Sequence, residues 1–141
     1  MILPDVNVMI YAFDADRPRY NELRPWLEAV LHGDSPFGMS PQVLSSAVRI
    51  LTNPRVFSNP HPLAKVLDYC NEVFSAPNCH VILPGLRHWQ IFSDLCTQAD
   101  AKGPLIYDAW FAALAIEHGC EWITLDRDFA RFPKLRWTAP F

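Results

Sequence analysis

Three aspartates stand in company that a charged side chain ordinarily avoids. Asp5 is the only charged residue before Asp14, set within Ile2-Leu3-Pro4-Asp5-Val6-Asn7-Val8-Met9-Ile10. Asp108 is the only charge between Lys102 and Glu117, inside Leu105-Ile106-Tyr107-Asp108-Ala109-Trp110-Phe111-Ala112-Ala113-Leu114. Asp126 closes the run Trp122-Ile123-Thr124-Leu125. Burying an ionised carboxylate without a partner costs several kcal/mol, comparable to the whole stability margin of a domain. Carboxylates brought together also repel, so they take up protons or are neutralised by a hard divalent cation. An oxygen-only set suits Mg2+ or Mn2+, and such an ion lowers the pKa of a bound water and stabilises charge developing on a phosphate. Phosphodiester hydrolysis is the reaction class this chemistry implies.

Each acid also has a structural explanation when judged alone. Asp5 can cap a helix beginning at Val6 or Asn7. Asp126 can open an Asx-turn into Arg127-Asp128-Phe129. Asp108 can form a buried pair with an arginine such as Arg49. The coincidence of all three favours a shared site.

The elements that must position these acids alternate along the chain. Short apolar runs at Met1–Leu3, Phe37–Met39, His80–Leu83 and Glu121–Leu125 are separated by amphipathic stretches, which predicts a parallel sheet with helical crossovers. Helices are expected over Asn7–Ala12, Tyr20–Leu31, Pro41–Leu51, Pro62–Phe74, Arg87–Ala99 and Leu105–His118, with Ser40-Pro41 as a start signal and Gly119 as a stop. Asn59-Pro60-His61-Pro62 marks a stiff loop between two helices. Asp5 and Asp126 then both follow strands, and ligands of open parallel sheets bind in the crevice beyond the strands' carboxyl ends. A helix starting near that rim adds Asp108.

With 141 residues and 50% hydrophobic content, the chain is expected to form one domain spanning residues 1–141. A net charge of -3 argues against bulk attraction to nucleic acid, so any such partner must be gripped locally. Cys70, Cys79, Cys96 and Cys120 include no C-x-x-C pair, which disfavours a thiolate zinc site and suggests reduced thiols. No cationic leader precedes an apolar segment, and the apolar stretch Pro104–Ile116 is too short to span a bilayer. A cytoplasmic protein without a membrane role is the expectation.

Four segments in order along the chain, Leu3-Pro4-Asp5-Val6-Asn7-Val8, Arg49 to Phe57, Asp108 to Ala115, and Thr124-Leu125-Asp126-Arg127-Asp128-Phe129, together resemble the PIN-domain ribonuclease toxins of bacterial toxin-antitoxin modules, the VapC-like family. The similarity continues through Phe132-Pro133-Lys134-Leu135-Arg136-Trp137. It implies a three-layer α/β fold, with a central, mostly parallel sheet of four or five short strands flanked by helices. It also implies an endoribonuclease acting on structured RNA, with Asp5, Asp108 and Asp126 as metal-binding acids, Asp128 as an additional acid, and Asn7 and Thr124 as polar companions. Mg2+ or Mn2+, a homodimer and a cognate antitoxin over the active-site groove are implied likewise. One departure stands out. Many PIN domains carry a glutamate three residues before the arginine matching Arg49, where this chain has Ser46, a neutral and weak ligand that removes a full negative charge from the site.

Arg49, Arg127 and Arg131 are the candidate contacts to an RNA backbone, Arg127 and Arg131 being four residues apart beside the last acids. Trp26, Trp89, Trp110 and Phe111 recur at helical spacing and are expected to pack in the core. The five histidines form no ligand pair, and His118 suits the end of its helix through the helix dipole. Two other functions compete. A phosphohydrolase working through an aspartyl intermediate on Asp5 is disfavoured because haloacid-dehalogenase-like enzymes place a second aspartate where this chain has Asn7. A PIN fold weakened by Ser46 could instead bind RNA or an antitoxin without cutting.

Overall fold

The alternation of apolar runs and amphipathic segments resolves into five short strands and six α-helices in a computed structural model that describes residues 1–141. Their order is β1 (Ile2–Pro4), α1 (Val6–Phe13), α2 (Tyr20–His32), β2 (Phe37–Met39), α3 (Pro41–Leu51), α4 (Leu63–Ser75), β3 (Cys79–Val81), α5 (His88–Gln98), α6 (Pro104–Glu117), β4 (Glu121–Ile123) and β5 (Trp137–Thr138). A 3-10 turn over Arg127–Arg131 follows β4. The expected three-layer α/β architecture is present, a five-stranded sheet flanked by helices.

All strand pairings are parallel, and the spatial order is β3-β2-β1-β4-β5. The chain therefore builds outward from β1 in one direction through β2 and β3, then returns to the other side of β1 for β4 and β5. The order reverses between β1 and β4, which pair in the register Ile2↔Glu121, Leu3↔Trp122 and Pro4↔Ile123. That reversal opens a crevice beyond the ends of these two strands.

The core fills the sheet's faces. Trp122 of β4 is fully buried, stacked on Phe111 of α6 with centroids 5.4 Å apart and packed against the tilted ring of Phe129 at 5.5 Å. This stack locks α6 and the 3-10 turn to β4. Leu3, Phe37 and Met39 extend the apolar layer along β1 and β2. No helix is long and apolar enough to cross a membrane, and all four cysteines are free.

The helix signals are realised where the sequence places them. The Ser40 hydroxyl accepts a hydrogen bond from the Gln42 N–H at 3.1 Å, and Pro41 occupies the first helical position of α3. Gly119 takes the left-handed conformation with φ +64° after α6. Differences lie at element ends. The third strand is Cys79–Val81, so Ile82 and Leu83 leave the sheet, and β4 stops at Ile123. Trp137–Thr138 pairs as an edge strand beyond the apolar runs that periodicity identifies. Trp89 is no core residue: it stands 72% exposed on α5, its ring tilted against that of Phe92.

Because Ser40 starts the helix that carries Ser46 and Arg49, Ser40→Ala is expected to cost about 1 kcal/mol in urea unfolding, with Ser40→Asp retaining most of that stability.

Candidate active site

β1 ends at Pro4, and the next residue both caps α1 and enters the crevice. The Asp5 backbone N–H donates to the Ile123 carbonyl at 2.8 Å, continuing the β1–β4 ladder by one residue. Its carboxylate is 5% exposed. Oδ1 accepts from the Val6 N–H at 2.6 Å, and Oδ2 accepts from the Thr124 hydroxyl at 2.6 Å and the Asn7 amide at 2.9 Å. Helix capping is thus real at Asp5. It uses one lone pair of Oδ1 and leaves another unbonded on a residue that lines the cavity.

Asn7 and Thr124 act as positioning residues for Asp5. The Asn7 amide donates to Asp5 Oδ2 and to Thr124 Oγ1 at 3.2 Å, while its oxygen accepts from the Leu125 N–H at 3.2 Å. Thr124 is fully buried; its hydroxyl donates to Asp5 and accepts from Asn7 and from the Asp126 N–H at 3.0 Å. Through these bonds the segment after β4 is tied to the start of α1, and Asp126 is carried to the same rim. Asp126 in turn accepts from the Asp128 N–H at 2.9 Å through Oδ1 and begins the 3-10 turn.

Asp108 arrives from the far wall, on the second turn of α6. Gly103, in the left-handed region at φ +56°, and Pro104 start this helix. Residues Ala109 and Phe111–Ala115 are buried, as a helix apolar on all sides should be. Its first turns nevertheless open onto the crevice, so Asp108 is half-buried. The alternative pairing with Arg49 is not formed: none of Asp5, Asp108, Asp126 or Asp128 is in an ion pair with an arginine or lysine.

Asp5, Asp108 and Asp126 line one cavity of about 870 Å3 together with Asn7, Ser46 and Arg49. Asp128 is exposed and lies outside that lining, as do Arg127 and Arg131, both exposed beside it. Arg49 is the basic side chain that reaches the cavity. Sequence reasoning missed Gln42 and Tyr107 as lining residues. The spacing Gln42, Ser46, Arg49, Ile50 on α3 was the available signal, since these positions share one helix face.

The acids are electrostatically coupled. Burial pushes the Asp5 carboxyl up from 3.8 to about 7, overriding the Thr124 and Val6 hydrogen bonds that favour its charged form, and the negative charges of Asp108 and Asp126 push the same way. Asp108 is raised to about 6 by desolvation, then by Asp126 and Asp128. No three His, Cys, Asp or Glu side chains are drawn together closely enough to hold a metal ion as they stand. The donor chemistry nonetheless fits a hard cation: oxygen acids without cationic partners sharing one cavity, two of them with raised pKa.

The PIN domain family profile matches residues 2–135 of this chain. Ribonuclease VapC25 of Mycobacterium tuberculosis is 41% identical over 140 residues, covering 99% of each protein. Ribonuclease VapC31 of the same species is 40% identical with the same coverage. Among solved structures, VapBC2 from Rickettsia felis bound to a DNA fragment from its promoter superposes with a TM-score of 0.73 at 17% identity, covering 99% of this chain and 98% of that one. VapC20 of Mycobacterium tuberculosis, a toxin that cleaves the sarcin-ricin loop, superposes at 0.64 with 14% identity over 96% of this chain and 99% of that one.

The raised carboxyls give a stability prediction. A group whose folded pKa lies above its unfolded value binds more protons in the native state, so stability falls as pH rises between the two values. The metal-free protein should therefore lose on the order of a few kcal/mol between the ordinary value of 3.8 and about 7, mostly through Asp5. Thermal unfolding across that window checks this, and added Mn2+ should restore more stability at neutral pH than in acid.

Proposed function

Because this chain belongs to the PIN domain family and to its VapC-like branch, we propose that it is a metal-dependent endoribonuclease and the toxin of a toxin-antitoxin pair. The observation that carries the reading is the set of aspartates at 5, 108 and 126, which line one cavity with no basic side chain paired to any of them. Named VapC ribonucleases align with the chain end to end, and VapBC complexes share its fold, which supports both the activity and an antitoxin partner.

Asp5, Asp108 and Asp126 are the residues that would hold Mg2+ or Mn2+, with Asp128 as an outer acid. Bound there, the ion supplies a water of lowered pKa and positive charge beside the phosphate. The chain's own residues do the rest. Asn7 and Thr124 hold Asp5 in one orientation and exclude water from its inner oxygen. Asp108, from α6, and Asp126, from the segment after β4, line the same cavity. Arg49 offers a guanidinium from α3 to a phosphate of the RNA backbone, while Arg127 and Arg131 extend the basic surface outside the cavity. Both Asp5 oxygens already accept hydrogen bonds, which suits a ligand held still better than a nucleophile and weighs against an aspartyl intermediate.

Ser46 faces the cavity where many relatives carry glutamate, so the site has one charge fewer and holds its cation less tightly. The reading also includes a homodimer, the common state of the family.

Purified protein incubated with cellular RNA and Mn2+ should produce discrete new 5' ends, absent with chelator and absent for Asp5→Asn or Asp108→Asn. RNA affinity without any cut would instead establish a binding module. Ser46→Glu is expected to tighten Mn2+ binding by roughly tenfold or more, read by calorimetric titration.

A further inference from the structure

The cavity beside the acids is larger than a phosphate and its cation require. At about 870 Å3 it falls within the range of pockets that enclose small organic ligands, roughly 300 to 1,000 Å3. Its two walls are unlike. From α3 come Gln42, Ser46 and Arg49; from α6 comes Tyr107, immediately before Asp108.

Tyr107 is 74% exposed. It takes no part in the aromatic stacks that knit Trp110, Phe111, Trp122 and Phe129 together. Its hydroxyl is unbonded, whereas that of Tyr69 donates to the Met9 carbonyl. A flat ring thus stands at the mouth of the cavity with its face unused, on a helix whose direction Gly103 and Pro104 fix. Two side-chain amides line the same space. Asn7 has both amide hydrogens committed, to Asp5 and Thr124, and its oxygen accepts from the Leu125 N–H. The Gln42 amide is committed to nothing.

We propose that Tyr107 and Gln42 form a nucleobase subsite: an unpaired base flanking the cleaved phosphate lies on the Tyr107 ring and turns its hydrogen-bonding edge to the Gln42 amide. The proposal rests on the ribonuclease reading and specifies its substrate as single-stranded RNA, a loop or a bulge, because a paired base cannot be splayed onto a side chain without breaking the duplex. Stacking is the contact this protein needs. With a net charge of -3 it draws little affinity from bulk attraction to phosphates, and stacking on an aromatic ring is tolerant of base identity. Gln42, which can both donate and accept, is then the residue that discriminates between bases.

The test compares wild type, Tyr107→Ala, Tyr107→Phe and Gln42→Ala on a single-stranded RNA oligonucleotide with Mn2+, and on the same RNA carrying 2-aminopurine beside the cut. Tyr107→Ala should raise KM roughly ten- to a hundredfold while kcat and Mn2+-induced stabilisation persist. Tyr107→Phe should retain wild-type KM, and Gln42→Ala should redistribute cut positions. Wild type should quench 2-aminopurine fluorescence and Tyr107→Ala should not. Unchanged KM and unchanged quenching in Tyr107→Ala overturn the subsite. Loss of self-association or of a protein partner with quenching intact also overturns it, assigning the ring to a protein interface. If wild type gives no Mn2+-dependent cut, the ribonuclease reading fails by itself, and the quenching comparison still decides the subsite.

Discussion

A carboxylate withdrawn from water at the point where the sheet reverses its order is the constraint on which the rest of this protein depends. Asp5 is 5% exposed, and three donors are spent on holding it. Those bonds favour its charged form, yet burial outweighs them and leaves the group at about 7. The folded chain therefore carries an incompletely compensated acid, a cost that a cation or a proton removes.

The same interactions explain how segments distant in sequence reach one rim. The Asp5 N–H extends the β1–β4 ladder, and Thr124 bonds Asp5 with one face of its hydroxyl and the Asp126 N–H with the other. One threonine thus sets the relation between the first acid and the last. Asp108 needs a different device, because it comes from a helix: the Trp122–Phe111 stack fixes α6 against β4 and so fixes how far Asp108 can stand from the strand ends. Packing energy holds the acids at one cavity, where their oxygens stand short of a closed ligand set.

Much of this was legible in residue order, for identifiable reasons. Lone charges in apolar stretches identified Asp5 and Asp108, because desolvation makes such placements costly wherever the chain folds. Ser40-Pro41 and Gly119 fixed helix ends, since their signals are local. What depends on tertiary neighbours was not legible. Asx-turn and cap compete with a site role for Asp126 and Asp5 in residue order, whereas in the structure each acid both caps and lines the cavity. Trp89 fits a helical pattern but meets no element that covers it. The β5 strand is two residues long and exists only because β4 offers an edge. Tyr107 and Gln42 carry no charge or motif, and only the cavity between α3 and α6 gives them meaning.

The central claim, that the aspartates at 5, 108 and 126 share one divalent ion, is tested most directly by a crystal structure of the protein with Mn2+, with anomalous scattering recorded at the manganese edge. The account predicts an anomalous peak bonded to oxygens of all three side chains, with Asp108 and Asp126 turned inward to meet it. A peak placed elsewhere, or an empty cavity at saturating Mn2+ with all three carboxylates unmoved, would contradict it.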